Sequence, residues 1–106
     1  MPRHIKKLLK ELKEGLVRIY ADELKAVYLY GSYARDEANS DSDIDVLVVL
    51  KGDFNYIEML KRSDDFTIAL CLENDVLISR AFVSEAEYKS KQTPFLMNVR
   101  RDAVAV

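Results

Sequence analysis

The chain has 106 residues, of which 49% are hydrophobic and 32% are charged, and its formal net charge at pH 7 is −2. This length fits one compact domain over residues 1–106, and the small net charge argues against direct binding of nucleic acid. One cysteine excludes an internal disulfide and a thiolate metal cluster, and no apolar run approaches membrane-spanning length, so we expect a cytoplasmic protein.

The first predicted element is an amphipathic helix over residues 4–20. Its leucines and isoleucines recur at helical spacing, with Lys and Glu between them. Gly15 interrupts this helix at a modest cost in helix propensity. The sequence KAVYLY, residues 25–30, is rich in β-branched and aromatic residues and predicts a strand.

A glycine and a serine follow this strand. We expect Gly31 and Ser32 to end it, with Ser32 as the N-cap of a short helix from Tyr33. Residues 39–42 form a polar loop. Residues 44–50 are almost entirely Ile, Val and Leu, which predicts a central strand that is buried on both faces.

The second half of the chain alternates helix and strand. Residues 54–72 predict a helix with Ile57 and Ile68 among its apolar anchors, and a third strand follows over residues 76–83. A helix is expected over residues 85–91, because Ser84 and Glu87 fit a capping box at its start. Another is expected from Pro94 to about Arg101, with Thr93 as its N-cap. The tail AVAV predicts a short edge strand, and the element order β-α-β-α-β-α implies an α/β fold.

Two aspartates stand at the start of the central strand. Residues two apart on a strand point to the same side, so Asp43 and Asp45 present two carboxylates together while Ile44 points away. Two like charges beside a hydrophobic strand repel each other and resist burial. A divalent cation relieves both problems, and carboxylate oxygens suit Mg²⁺, which binds best with substrate phosphates as further ligands.

The turn after the first strand is a candidate phosphate-binding site, which would complement the metal-binding carboxylates. Gly31 allows close backbone approach, and free amides at the following helix start form a phosphate cradle with the Ser32 hydroxyl. Arg35 lies one helical turn further on, within reach of a phosphate oxygen. A phosphate cradle and a pair of metal-binding carboxylates together predict a site for a nucleoside triphosphate.

The motif resembles a known family. Gly31-Ser32-Tyr-Ala-Arg35, followed by Ser42-Asp-Ile-Asp-Val-Leu-Val48, is similar to the signature of polymerase-β-type nucleotidyltransferases, above all the minimal (MNT-type) members. The resemblance implies a small nucleotidyltransferase fold, with a central mixed sheet of three or four strands packed with helices. It also implies that Gly31 and Ser32 hold the triphosphate of the substrate ATP and that Asp43 and Asp45 are catalytic and bind Mg²⁺. With Arg35 and Asp43, Gly31 and Ser32 make up the expected nucleotide-binding residues.

The third carboxylate of that family is not evident in this chain. The family carries it on a later strand, but the middle of residues 76–83 holds Ser79 and Arg80. Arg80 is expected to be exposed on an edge strand. Glu73 and Asp75 precede the strand and replace the missing acid only if the strand begins earlier.

The resemblance implies a function and leaves an alternative. The implied reaction is transfer of AMP from ATP to a hydroxyl of a partner protein, namely a tyrosine of a HEPN-type toxin, which makes this chain an antitoxin. The alternative is a binding module that neutralises its partner by docking alone. Transfer to a small molecule is a third interpretation, which usually requires a second domain. The first helix and the apolar segment 94–99 are candidate surfaces for a homo- or hetero-oligomer.

Overall fold

The computed structural model describes all of residues 1–106 and begins with helix α1, Arg3–Tyr20. This helix confirms the prediction for residues 4–20. Its buried residues recur every three or four positions and form one face: Ile5, Leu8, Leu9, Leu12, Gly15, Leu16 and Tyr20. A short 3₁₀ turn, Ala21–Glu23, leads from α1 into the sheet.

The sheet has four strands and is mixed. Its members are β1 (Leu24–Tyr30), β2 (Ile44–Leu50), β3 (Ile78–Ser84) and β4 (Val104–Ala105), in the spatial order β3-β2-β1-β4. β1 pairs antiparallel with β2 and β4, whereas β2 and β3 are parallel. This arrangement confirms the predicted mixed sheet, including the short C-terminal edge strand and the buried central strand.

The predicted helix between β1 and β2 is absent. The amide of Arg35 donates to the carbonyl of Gly31 at 3.1 Å, which closes a single turn. Asp36 then adopts a left-handed conformation with φ of 60°, so the chain leaves the helical path. The segment is therefore a compact series of turns, and the prediction of a helix from Tyr33 was wrong.

Helix α2, Tyr56–Asn74, lies two residues further along the chain than predicted at both ends. The Asn55 side chain accepts a hydrogen bond from the Glu58 amide, so Asn55 is the N-cap and the helix starts after it. At the other end, Asp75 is a left-handed C-cap. β3 consequently begins at Ile78 and not at residue 76.

The buried face of α2 is more polar than its sequence predicts. Ile57 and Ile68, expected to be anchors, are 58% and 54% exposed. The face instead buries Ser63 and Thr67, along with Met59 and Leu70. Burial of these hydroxyls is possible because each has a hydrogen-bond partner, Thr67 donating to the Ser63 carbonyl at 2.7 Å.

The Ser63 hydroxyl lies 2.7 Å from the hydroxyl of Tyr20 and also accepts a hydrogen bond from Arg80. The Arg80 guanidinium donates to the Ser63 hydroxyl at 2.6 Å, to the Leu60 carbonyl at 3.1 Å and to the Asp64 carboxylate at 2.6 Å. The Arg80 side chain is only 9% exposed. The expectation of an exposed arginine was wrong, because β3 is an edge strand but α2 covers the face from which Arg80 projects.

Two short helices cover the opposite face of the sheet. The capping box at Ser84 opens α3 (Glu85–Ser90), and the Thr93 side chain caps α4 (Pro94–Asp102), as predicted. Leu96 and Val99 of α4 pack with Leu47 and Val49 of β2 in a small second core. No helix in the chain is long and apolar enough to cross a membrane.

Candidate active site

The strand register places three polar side chains in a row. Tyr30 of β1 pairs with Asp45 of β2, and Asp45 pairs with Ser79 of β3. Residues paired in this way project from the same face of a sheet, which here is the face that α4 covers. Ile44 is fully buried on the opposite face. Asp43, which directly precedes β2, is exposed.

The two carboxylates interact electrostatically. Burial raises the pKa of Asp45, and the charge of Asp43 raises this pKa further, whereas Arg35 lowers it slightly. The negative charge at Asp45 is therefore unfavourable in the protein alone. A divalent cation fits this pair because it neutralises the repulsion. No cluster of three or more His, Cys, Asp or Glu side chains is present that could hold a metal ion, so further ligands would come from phosphates and water.

A cradle of backbone amides lies beside this pair. Gly31 has a φ of +77°, and a Cβ at this position would collide with the Asp45 carboxylate. The glycine therefore brings the backbone of the turn against Asp45. The amides of Ser32, Tyr33 and Ala34 donate to no acceptor in the protein. Successive free amides of this kind form a binding site for a phosphate group.

Arg35 lies at the rim of the cradle. Its guanidinium contacts two carboxylates, those of Glu37 at 3.1 Å and Asp102 at 3.4 Å. The Arg35 side chain is 43% exposed, and ion pairs at such exposed positions contribute little free energy. The guanidinium is thus free to exchange these partners for a phosphate oxygen.

Neither candidate for the third carboxylate lies on β3. Glu73 belongs to the last turn of α2, and Asp75 caps that helix. The strand begins later than predicted, so both acids stay outside it. The residue beside Asp45 on β3 is Ser79, which is exposed and carries no charge.

An aromatic pair that includes Tyr30, the strand partner of Asp45, was not predicted from the sequence as part of the site. The Phe95 and Tyr30 rings meet edge to face, with centroids 5.5 Å apart and an interplanar angle of 87°. Burial, followed by the charge of Asp45, raises the pKa of Tyr30 to about 12, so its hydroxyl stays protonated at physiological pH. The adjacency of Tyr30 to Gly31 was a signal available in the sequence, whereas the position of Phe95 was not.

Known proteins of similar sequence identify the family of this chain. Residues 5–99 match the sequence model of the nucleotidyltransferase domain family. A protein of Methanocaldococcus jannaschii named "putative protein adenylyltransferase" is 34% identical over 85 residues, which cover 80% of this chain and 79% of that protein.

Solved structures show the same fold. One is the crystal structure of a "putative nucleotidyltransferase" from Sulfolobus solfataricus, with a TM-score of 0.65 and 26% identity over 93% of this chain and 76% of that one. Another is a structure of a tri-AMPylated Shewanella oneidensis HEPN toxin in complex with an MNT antitoxin. A chain of this complex has a TM-score of 0.52 and 22% identity over 92% of the present chain and 68% of its own length.

Proposed function

This chain belongs to the nucleotidyltransferase domain family, and we propose that it transfers AMP from ATP to a hydroxyl group of a partner protein. One observation carries the proposal: Gly31, which directly precedes the three free amides, lies so close to the Asp45 carboxylate that an added Cβ would collide with it. A phosphate cradle and a metal-binding acid in such contact are suited to hold both ends of a metal-chelated triphosphate.

In the proposed reaction, the acceptor oxygen attacks the α-phosphorus of ATP. A bond forms between that oxygen and the phosphorus, the bond from the phosphorus to the bridging oxygen breaks, and pyrophosphate leaves. The hydroxyl proton is released to solvent. The free amides of Ser32, Tyr33 and Ala34 and the guanidinium of Arg35 would hold the departing phosphates, while Asp43 and Asp45 would hold Mg²⁺. The bound ion would supply electrostatic stabilisation of the developing charge.

The acceptor belongs to another molecule in this proposal. The name of the M. jannaschii relative points to a protein acceptor, and the fold is shared with a chain in the AMPylated toxin complex. We therefore propose a tyrosine of a HEPN-type toxin as the acceptor and an antitoxin role for this chain.

A specific observation favours a second candidate function. Ser79, and no acid, lies beside Asp45 on β3. A site with two carboxylates can bind a metal–nucleotide complex and still lack a group that activates the acceptor hydroxyl. The chain would then neutralise its partner by docking, with the nucleotide as a bound ligand.

The experiment is to incubate the protein with ATP labelled at the α-phosphate, Mg²⁺ and the product of the neighbouring gene, which the proposal expects to be a HEPN-type toxin. Transfer predicts label on the partner, and Asp43→Asn and Asp45→Asn should abolish it. Asp53→Asn is the matched control, because Asp53 is an exposed aspartate just after the other end of β2, and it should keep full activity.

The alternative outcomes are distinct. A stable complex that carries no label, with ATP bound to this chain, would overturn transfer and support docking. Absence of any ATP binding in the presence of Mg²⁺ would overturn the nucleotide site itself.

A further inference from the structure

The α4 face of the sheet carries an exposed aromatic ring next to the nucleotide site. Phe95 is 44% exposed, whereas Leu96 and Val99 of the same helix are 3% and 2% exposed. The two buried residues therefore attach α4 to the sheet without help from Phe95. The Phe95 ring rests on Tyr30, which ties its position to the strand that leads into the phosphate cradle.

The neighbours of Tyr30 place this ring pair beside the proposed phosphate and metal positions. Tyr30 is the strand partner of Asp45 and directly precedes Gly31. A triphosphate in the amide cradle, with its metal at Asp45, would therefore have the aromatic pair on one side and Ser79 on the other. The side with Tyr30 and Phe95 carries aromatic rings on which a planar base can stack, whereas the Ser79 side chain has none.

The local structure restrains the backbone at Phe95 before any ligand binds. The Thr93 side chain caps α4, and Pro94 occupies its first turn, so Phe95 lies in a helical turn whose backbone is restrained. A fixed aromatic surface binds a base at a lower entropic cost than a mobile one.

We propose that Phe95, supported by Tyr30, forms the stacking surface for the purine base of the bound nucleotide. This inference rests on the proposed function, because it assigns the base end of the same nucleotide. It makes Phe95 a determinant of affinity for the nucleoside and leaves the phosphate and metal contacts unchanged.

The test compares two ligands that share the phosphate chemistry. Binding of ATP and of inorganic tripolyphosphate, both with Mg²⁺, is measured by calorimetry for the wild type and for Phe95→Leu. Loss of base stacking should weaken ATP binding about tenfold and leave tripolyphosphate binding unchanged. Met97→Leu is the matched control, because Met97 is 52% exposed on the same helix but points away from Phe95.

A second variant reports on the contact directly. The chain contains six tyrosines but no tryptophan, so Phe95→Trp introduces a single tryptophan, which can be excited selectively at wavelengths beyond tyrosine absorption and which retains a stacking surface. ATP should quench its fluorescence, and tripolyphosphate should not.

Two failures are distinguishable. If Phe95→Leu binds both ligands as tightly as the wild type, or loses both equally, the stacking surface is overturned while the nucleotide site stands. If the wild type binds neither ligand, the proposed function fails together with this inference.

Discussion

At the scale of single residues, Gly31 determines how closely the turn approaches Asp45. Its positive φ of 77° is unfavourable for any side chain, and an added Cβ would collide with the Asp45 carboxylate. We predict that Gly31→Ala lowers the free energy of unfolding by about 1–2 kcal/mol and abolishes ATP binding, because the cradle and the carboxylate are pushed apart. Urea denaturation and calorimetry with Mg²⁺ and ATP measure the two effects.

Gly52 provides the control for this substitution. A Cβ at Gly52 would meet no atom within 4 Å, so Gly52→Ala should leave ATP binding at the wild-type level. ATP affinity of Gly31→Ala equal to that of the wild type would show that the close approach has no role in binding.

Some residues of the candidate site could be predicted from the sequence, and others could not. Gly31, Ser32, Asp43 and Asp45 belong to one continuous motif, so local spacing was enough to propose them as a site. Phe95 lies far along the chain from that motif, and its contact with Tyr30 exists because α4 packs across the sheet. Such a contact depends on the packing of distant elements, which spacing alone does not reveal.

At the scale of elements, the pairing of β2 with β3 decides which residue completes the row of polar side chains. The register places Ser79 beside Asp45, where a carboxylate would face the proposed metal position. We predict that Ser79→Asp raises the rate of AMP transfer about tenfold or more, since an added acid can bind metal or accept the proton of the acceptor. Single-turnover transfer of labelled AMP to the partner measures this rate.

The control for the expected increase in transfer rate is a Ser→Asp substitution outside the candidate site. Ser90→Asp adds one negative charge at the exposed end of α3 and should leave the transfer rate unchanged. A rate for Ser79→Asp equal to or below that of the wild type would mean that this position does not complete the site.

The elements themselves were predicted to different degrees. The aliphatic run at residues 44–50 and the caps at Ser84 and Thr93 are local signals, and these elements appear where expected. The buried face of α2 was mispredicted because the partners that allow Ser63 to be buried, Tyr20 of α1 and Arg80 of β3, belong to other elements. The helix expected after Ser32 is missing because Asp36 turns the chain.

At the scale of the whole molecule, the two faces of the sheet have different roles. The face covered by α1 and α2 belongs to a core of 17 buried residues, whereas the α4 face has a core of four. Close helix packing contributes to the larger core, where Gly15 of α1 lies against the ring of Phe66. The candidate site lies on the thinner face, so its residues can be arranged for binding while the larger core holds the fold.

This division predicts that the site lowers the stability of the ligand-free protein. Burial and the charge of Asp43 raise the pKa of Asp45 in the folded state above its value in the unfolded chain. The folded protein therefore loses stability as the pH rises through this pKa and Asp45 ionises. Asp45→Asn removes the ionisation, so without metal or nucleotide we expect the variant to melt at a higher temperature than the wild type at neutral pH.

The expected gain in melting temperature has a defined dependence on pH and ligand. It should shrink as the pH falls from about 7 to about 4, because the wild-type carboxyl is then increasingly protonated. Hydrogen bonds and ion pairs lower the pKa values of Glu85, Glu87 and Asp102, so these groups make stability fall as the pH falls. Both proteins share this effect, so it cancels when their melting temperatures are compared at the same pH. Thermal melts in the presence of a chelator measure the difference, with Asp53→Asn as the exposed control.

Mg²⁺ and ATP should reverse the order of stability. In the proposed function they bind the folded wild type and raise its melting temperature by mass action. They should not stabilise Asp45→Asn, which lacks one of the two charges proposed to hold the cation. If Asp45→Asn melts below the wild type at neutral pH in the chelator, the buried charge is compensated within the protein itself. The Asp43–Asp45 pair would then be a structural feature of the strand end and not a site kept at the expense of stability.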